Sequence, residues 1–112
     1  MDDNYDRLTN EAKMILLKMY YEYTLRIAAG TDRRNAKVMG PLDRFKPFTL
    51  PNESDAELVD YCGELAHEEF LSIKWADGTV YFSSLTNVAI ARMQNRFKDG
   101  VKAAIELLTK VL

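Results

Sequence analysis

Two observations predict an α+β fold. Apolar residues recur at three- and four-residue spacing over most of the 112-residue chain, the period of helices. Around Asp77-Gly78 they instead alternate with polar ones, the period of a β-hairpin. The scale follows from composition: 47% apolar and 29% charged residues supply one core under a charged surface. Residues 1–112 are therefore read as a single domain.

The first element is expected from about Asp6 to Ala29, where Leu8, Ala12, Ile15, Leu16, Met19, Tyr23 and Ile27 form one helical stripe. Thr9 with Glu11 marks its start, and Gly30 stands where a helix stops in the left-handed conformation. A short second helix is expected around Arg33 to Met39. Gly40-Pro41 breaks it, and Pro47 and Pro51 suggest extended chain to about Asn52. Ser54 and Glu57 form a capping box for the next helix, whose buried stripe is Leu58, Val59, Cys62, Leu65, Ala66 and Phe70. Asp77-Gly78 is the signature of a two-residue type I′ turn, because Gly takes positive φ without steric cost and Asp tolerates it. The simplest register sets Trp75 opposite Val80 and Ile73 opposite Phe82 on a buried face, with Lys74 and Tyr81 on the other. Thr86 caps the last segment, residues 86–112. Ile90, Met93, Phe97, Val101, Ala104, Leu108 and Val111 predict either one helix of about 40 Å or two helices divided near Gly100.

Helix, short helix, helix, hairpin and long C-terminal helix is the order of a winged helix-turn-helix with one β-hairpin wing; the Ser54–Glu69 helix takes the recognition position. The residues Asp55-Ala56-Glu57-Leu58-Val59, Leu65, Phe70, Leu71 and Asp77-Gly78-Thr79-Val80-Tyr81 also carry a family likeness. It continues through Leu85-Thr86, Ala89-Ile90, Met93, Asn95-Arg96-Phe97 and Gly100. Over about residues 10–112 the chain resembles small winged-helix proteins of bacterial mobile elements and prophages, the YjcQ-type group among them. The resemblance implies a fold and a mobile-element setting but no established activity.

Charge placement says more than the net charge of −2. Between Arg26 and Lys46, six basic residues outnumber Asp32 and Asp43, a local +4; residues 53–69 hold seven carboxylates and no Lys or Arg, a local −7. Such polarity steers charged partners. On the recognition-position helix, Glu57, Asp60, Glu64 and Glu68, with Tyr61 as an aromatic anchor, are expected to form an exposed row. That row would repel a duplex and suits a protein partner, host or element-encoded, with a basic surface; an inhibitor of a nucleic-acid-handling machine, anti-CRISPR-like, is one form of this. The alternative is a transcriptional regulator that contacts double-stranded DNA through Arg33, Arg34, Lys37, Arg44 and Lys46.

Catalysis has little to work with. His67 is the one histidine and Cys62 the one cysteine, and no Gly-rich phosphate loop is present. Glu64 and His67 have the Glu-x-x-His spacing of carboxylate-bridged metal sites, but those need further ligands from other helices. Cys62 lies on the apolar stripe, as an inert core thiol does. The expectation is a non-enzyme with no cofactor and no metal. Phe97, Val101, Ala104, Leu108 and Val111 suit a helix seam, and a homodimer through it is expected. No stretch is apolar enough to span a membrane, the start of the chain is acidic, and a lone cysteine fits a reducing compartment, so the expected location is cytoplasmic.

Overall fold

A computed structural model describes residues 4–98 and 100–112, and helix α1, Asn10–Ala28, runs through its centre. Thr9 caps α1, its side chain accepting from the Ala12 N–H at 3.3 Å. The helix starts later than the periodicity suggests, because Asn4–Arg7 forms a separate 3-10 turn. Met14, Leu17 and Tyr20 are buried as well as Ala12, Ile15, Leu16, Met19 and Tyr23, so α1 is covered on more than one side. A helix in that position needs no single apolar stripe. At its far end Gly30 adopts φ +94°.

Helix α2 is one turn, Arg33–Ala36, capped by Asp32, which accepts from the Asn35 N–H at 3.1 Å. The expected helix thus stops short of Met39. Val38 instead bridges Ser84, the Leu85 N–H donates to the Lys37 carbonyl at 2.9 Å, and the Met39 and Gly40 N–H groups both reach the Ser83 carbonyl. The stretch expected to be extended from Pro41 to Asn52 is largely helical: α3 spans Leu42–Phe45 and a 3-10 turn follows at Lys46–Phe48. Pro41 precedes α3 and Pro47 stands in the opening turn of the 3-10 segment, positions where no backbone donor is needed. Phe45 is fully buried and holds this corner against the core.

Helix α4, Asp55–His67, begins at Ser54, whose hydroxyl accepts from the Glu57 N–H at 3.2 Å. Leu58, Cys62 and Leu65 are buried, and Phe70 and Leu71 continue the core into the sheet. The helix ends with Glu69 at φ +66°, where the Phe70 N–H returns to Leu65 and the Glu69 N–H to Ala66. This is a left-handed helix terminus without a glycine.

Strands β1, Leu71–Ala76, and β2, Thr79–Leu85, pair antiparallel across Asp77 (φ +52°) and Gly78 (φ +74°), the turn read from the sequence. The register differs in one respect. Trp75 pairs with Val80 as expected, but an irregularity follows Lys74, so Lys74 pairs with Phe82 and Ile73 with Ser83. Tyr81 is the extra residue of a bulge. Val80, Ser83 and Leu85 therefore point inward, with Phe82 turned out beside Tyr81. Trp75, 45% exposed, and Phe82, 37% exposed, do not close the core as the simple alternation implied. Buried Ser83 is satisfied by donating to the Gly40 carbonyl at 2.7 Å.

Two helices, not one long one, complete the described chain: α5, Asn87–Arg96, capped by Thr86, and α6, Val101–Thr109. Phe97 leaves helical geometry (φ −122°, ψ +47°), and its ring meets Tyr5 edge-on at 5.3 Å. The break lets α6 return antiparallel along α1: Lys18 and Leu25 share a cleft with Lys102 and Ile105, and Asn10 and Lys13 share another with Leu108 and Val111. The described residues thus form an α+β fold of six α-helices and one antiparallel hairpin. No described helix is long and apolar enough to cross a membrane.

A non-glycine residue in the left-handed region costs about 1–2 kcal/mol, part of which glycine recovers at some entropic cost to the unfolded chain. Glu69→Gly should therefore raise stability by about 0.5–1 kcal/mol in urea unfolding; an unchanged or lower midpoint would show that this terminus is not strained.

Candidate interaction surfaces

The capped helix α4 does not present its acidic residues as one outward row. Taking Leu58, Cys62 and Leu65 as the buried side, a 100° step per residue puts Ala56, Asp60, Gly63 and His67 on the opposite side. Glu57, Tyr61, Glu64 and Glu68 lie on one flank, toward the start of α1. Glu64 accepts from both donors of Thr9, the backbone N–H and, at 2.9 Å, the hydroxyl. Glu68 pairs with Arg7 at 3.2 Å. Tyr61 is half-buried and donates its hydroxyl to Glu11 at 3.3 Å. Of the expected row, Glu57 and Asp60 remain exposed.

The flank gains two residues that the helical pattern did not nominate. Burial first, then the nearby carboxylates of Glu11, Glu53 and Glu57, push the Tyr61 phenol up to about 12. Glu11 comes from α1 and Glu53 from the loop before Ser54, so a pattern read within one helix could not assemble them. The acidic surface is a cluster around Tyr61 and not a row along α4.

The basic segment is divided differently. Arg26 is committed: its guanidinium donates to the Ala36 and Val38 carbonyls and lies 3.7 Å from Glu22. Lys37 donates to Asn87 at 3.1 Å, and Lys46 pairs with Asp55 at 2.8 Å. Arg33, Arg34 and Arg44 are exposed, and among the described residues none of their three side chains has a hydrogen-bond or ion-pair partner. Asp32 does not neutralise them. It is occupied by the Asn35 side chain and backbone, which hold its carboxyl below the usual carboxylate range.

Arg44 and Arg26 border a polar cleft of about 460 Å³ shared with Thr31, Asn35 and Val38. Gly40, at φ +80°, permits this placement, since a Cβ there would stand 2.7 Å from the Arg44 Cδ. Of the six basic side chains between residues 26 and 46, three, Arg33, Arg34 and Arg44, thus keep unengaged guanidinium groups around α2 and α3 among the described residues.

The remaining candidates fall into place more simply. Cys62 is fully buried, and burial pushes its thiol up to about 12. His67 is exposed at the end of α4. Among the described residues no group of three or more His, Cys, Asp and Glu side chains is arranged to hold a metal. Of the proposed seam, Phe97, Val101, Ala104 and Leu108 are partly buried against the chain's own core, which leaves Val111 exposed together with Leu107 and Leu112. Leu107 and Leu112 lie off the heptad-like stripe, apolar residues beyond what one seam needs, and both are exposed. The sequence reading missed the exposure of Phe82, which follows from the bulge, whereas Tyr81 is exposed as expected.

Compared with known families, with curated proteins and with solved structures, the chain matches none.

The Tyr61 cluster makes a spectroscopic prediction. A raised phenol stabilises the fold fully below the unfolded value of 10 and loses that contribution as pH climbs toward about 12. In an ultraviolet titration against Tyr61→Phe, the difference signal should have its midpoint near 12, and Glu11→Gln should lower it. A midpoint at 10 in the parent protein would show that the phenol is neither buried nor surrounded by the carboxylates.

Proposed function

We propose that this chain is a winged-helix protein that acts by non-catalytic binding, and that it binds the backbone of double-stranded DNA through Arg33, Arg34 and Arg44. The winged-helix reading is supported by the order of α1, the bridged Val38 segment, the helical corner 42–48, α4 and the β1–β2 hairpin. In this arrangement the helix preceding α4 is the 42–48 corner, not the 33–39 stretch named from sequence. The likeness to mobile-element proteins belongs to the same proposal.

One observation carries the DNA reading. Among the described residues the side chains of Arg33, Arg34 and Arg44 are unpaired, whereas Glu64 and Glu68 of the opposing charge face are engaged within the fold. Arginine forks hold phosphates well, and phosphate contacts supply affinity without sequence information. Insertion of α4 into a groove is opposed by Glu57 and Asp60. The contact is therefore set along the α2–α3 edge, and its sequence preference is weak.

A second reading keeps one specific observation in its favour: Glu57 stays exposed beside Glu11, Glu53 and the Tyr61 ring, and Asp60 is exposed on the outer side of α4. That cluster suits a basic protein surface, such as the channel of a nucleic-acid-handling machine.

Fluorescence anisotropy with a labelled duplex at low salt separates the two. Three phosphate contacts predict log K falling with log salt at a slope of about −3. Arg33→Ala/Arg34→Ala should lower the affinity by about tenfold or more and reduce the slope by about 2. Glu57→Lys/Asp60→Lys should strengthen binding. Absence of duplex binding by the parent protein, or an affinity that the arginine double variant leaves unchanged, would overturn the DNA reading and leave the acidic cluster as the contact face.

A further inference from the structure

Helix α6 contributes no fully buried residue, although Val101, Ala104, Ile105, Leu107, Leu108, Val111 and Leu112 give it and the chain beyond it a largely apolar composition. Ala104 and Leu108 pack toward α1. The neighbouring flank, Ala103, Leu107 and Val111, is open, with Leu107 66% and Val111 68% exposed. Beside this ridge lies a shallow groove of about 300 Å³ floored by Tyr5, Phe97, Ala104 and Leu108. Its polar rim is Asn10, Lys13 and the Asp6–Arg96 ion pair, whose atoms approach to 2.6 Å. A ridge and a groove adjoining on one surface are the elements of an isologous contact, in which each copy supplies both halves.

We infer that this flank of α6 is a two-fold interface between copies of the chain, centred on Leu107. The occupant is chosen by charge. Lys102, Glu106 and Lys110 alternate along the polar side of α6 at four-residue steps. In an antiparallel arrangement about an axis at Leu107, Ala103 meets the second copy's Val111, and Glu106 comes within reach of the second copy's Lys110. The two-fold axis repeats that ion pair. A uniformly acidic or basic partner would meet a like charge at one of these positions, whereas the helix complements itself. The interface differs from the seam read in the sequence, since four of that seam's five residues are occupied by the chain's own core. It is also independent of the DNA proposal, because Arg33, Arg34 and Arg44 are not among its residues.

Sedimentation equilibrium tests it. The parent protein should show about twice the 12.9 kDa chain mass, and Leu107→Glu should be a monomer with an unchanged circular dichroism spectrum. Glu106→Lys, a surface change that keeps the apolar flank, should weaken dimerisation by about tenfold, and adding Lys110→Glu should restore it. Monomeric parent protein at about 100 μM, or dimers that persist unweakened in Leu107→Glu, would overturn the inference. Should Leu107→Glu fail to fold, the charge reversal and its rescue decide alone: equal affinities in all three proteins reject the antiparallel pairing.

Discussion

Glu64 accepts both hydrogens that Thr9 offers, and this tertiary contact decides how α4 is turned. Thr9 is the residue whose own hydroxyl caps α1, so one carboxylate links the beginning of the central helix to the middle of α4. Hydrogen bonds to an ionised group contribute about 1.5–3 kcal/mol, more than an exposed ion pair usually does. Negative charge near the first turn of α1 is also favoured by that helix's dipole. Arg7 and Glu68 extend the contact by one turn of α4. With this flank held against α1, Leu58, Cys62 and Leu65 enter the core, and Asp60 and Ala56 face away from it.

That orientation redistributes the charge. A run of seven carboxylates looks uniform along the chain, but its members have separate tasks in the fold. Asp55 meets Lys46, Glu64 holds Thr9, Glu68 holds Arg7, and Glu53 and Glu57 surround Tyr61. The basic segment is divided the same way, with Arg26 tying down the Ala36 and Val38 carbonyls while the side chains of Arg33, Arg34 and Arg44 stay unpartnered among the described residues. Arg26 is structural in a simple sense: it satisfies backbone acceptors where α2 gives way to the strand-like segment beside β2. The residues that remain free are the ones that no cap, corner or helix flank requires.

What was legible in the sequence follows from which signals are local. Thr9, Ser54 and Thr86 cap the helices expected of them, Gly30 ends α1, and Asp77-Gly78 makes the turn, because each depends on atoms within three residues. Three features depended on more distant contacts. Pro41 read as a helix break and Pro47 as extended chain, yet both fit the opening positions of short helical turns once Phe45 is drawn into the core. The bulge at Tyr81 keeps Ser83 inward, where it serves the Gly40 backbone, and this shifts Phe82 out of its expected register. The acidic row was nominated from helical spacing alone. Which flank of a helix is covered depends on its neighbour, and Glu64 reaching Thr9 across 55 positions leaves no mark on local periodicity.

The same division of charge bears on the proposal that a chain of net charge −2 binds a polyanion. Screening shortens electrostatic reach to about 8–10 Å at ordinary ionic strength, whereas the molecule measures 38 × 32 × 28 Å. A phosphate at the proposed α2–α3 edge would therefore respond chiefly to the side chains nearest it and little to the total. Lys46–Asp55 marks the border with the acidic side and neutralises the groups that would otherwise conflict there. Lowering the salt lengthens the reach and brings Glu57 and Asp60 into play, which opposes part of the usual gain in affinity. Local charge, set by which residues the fold leaves unpaired, outweighs the sum over the chain.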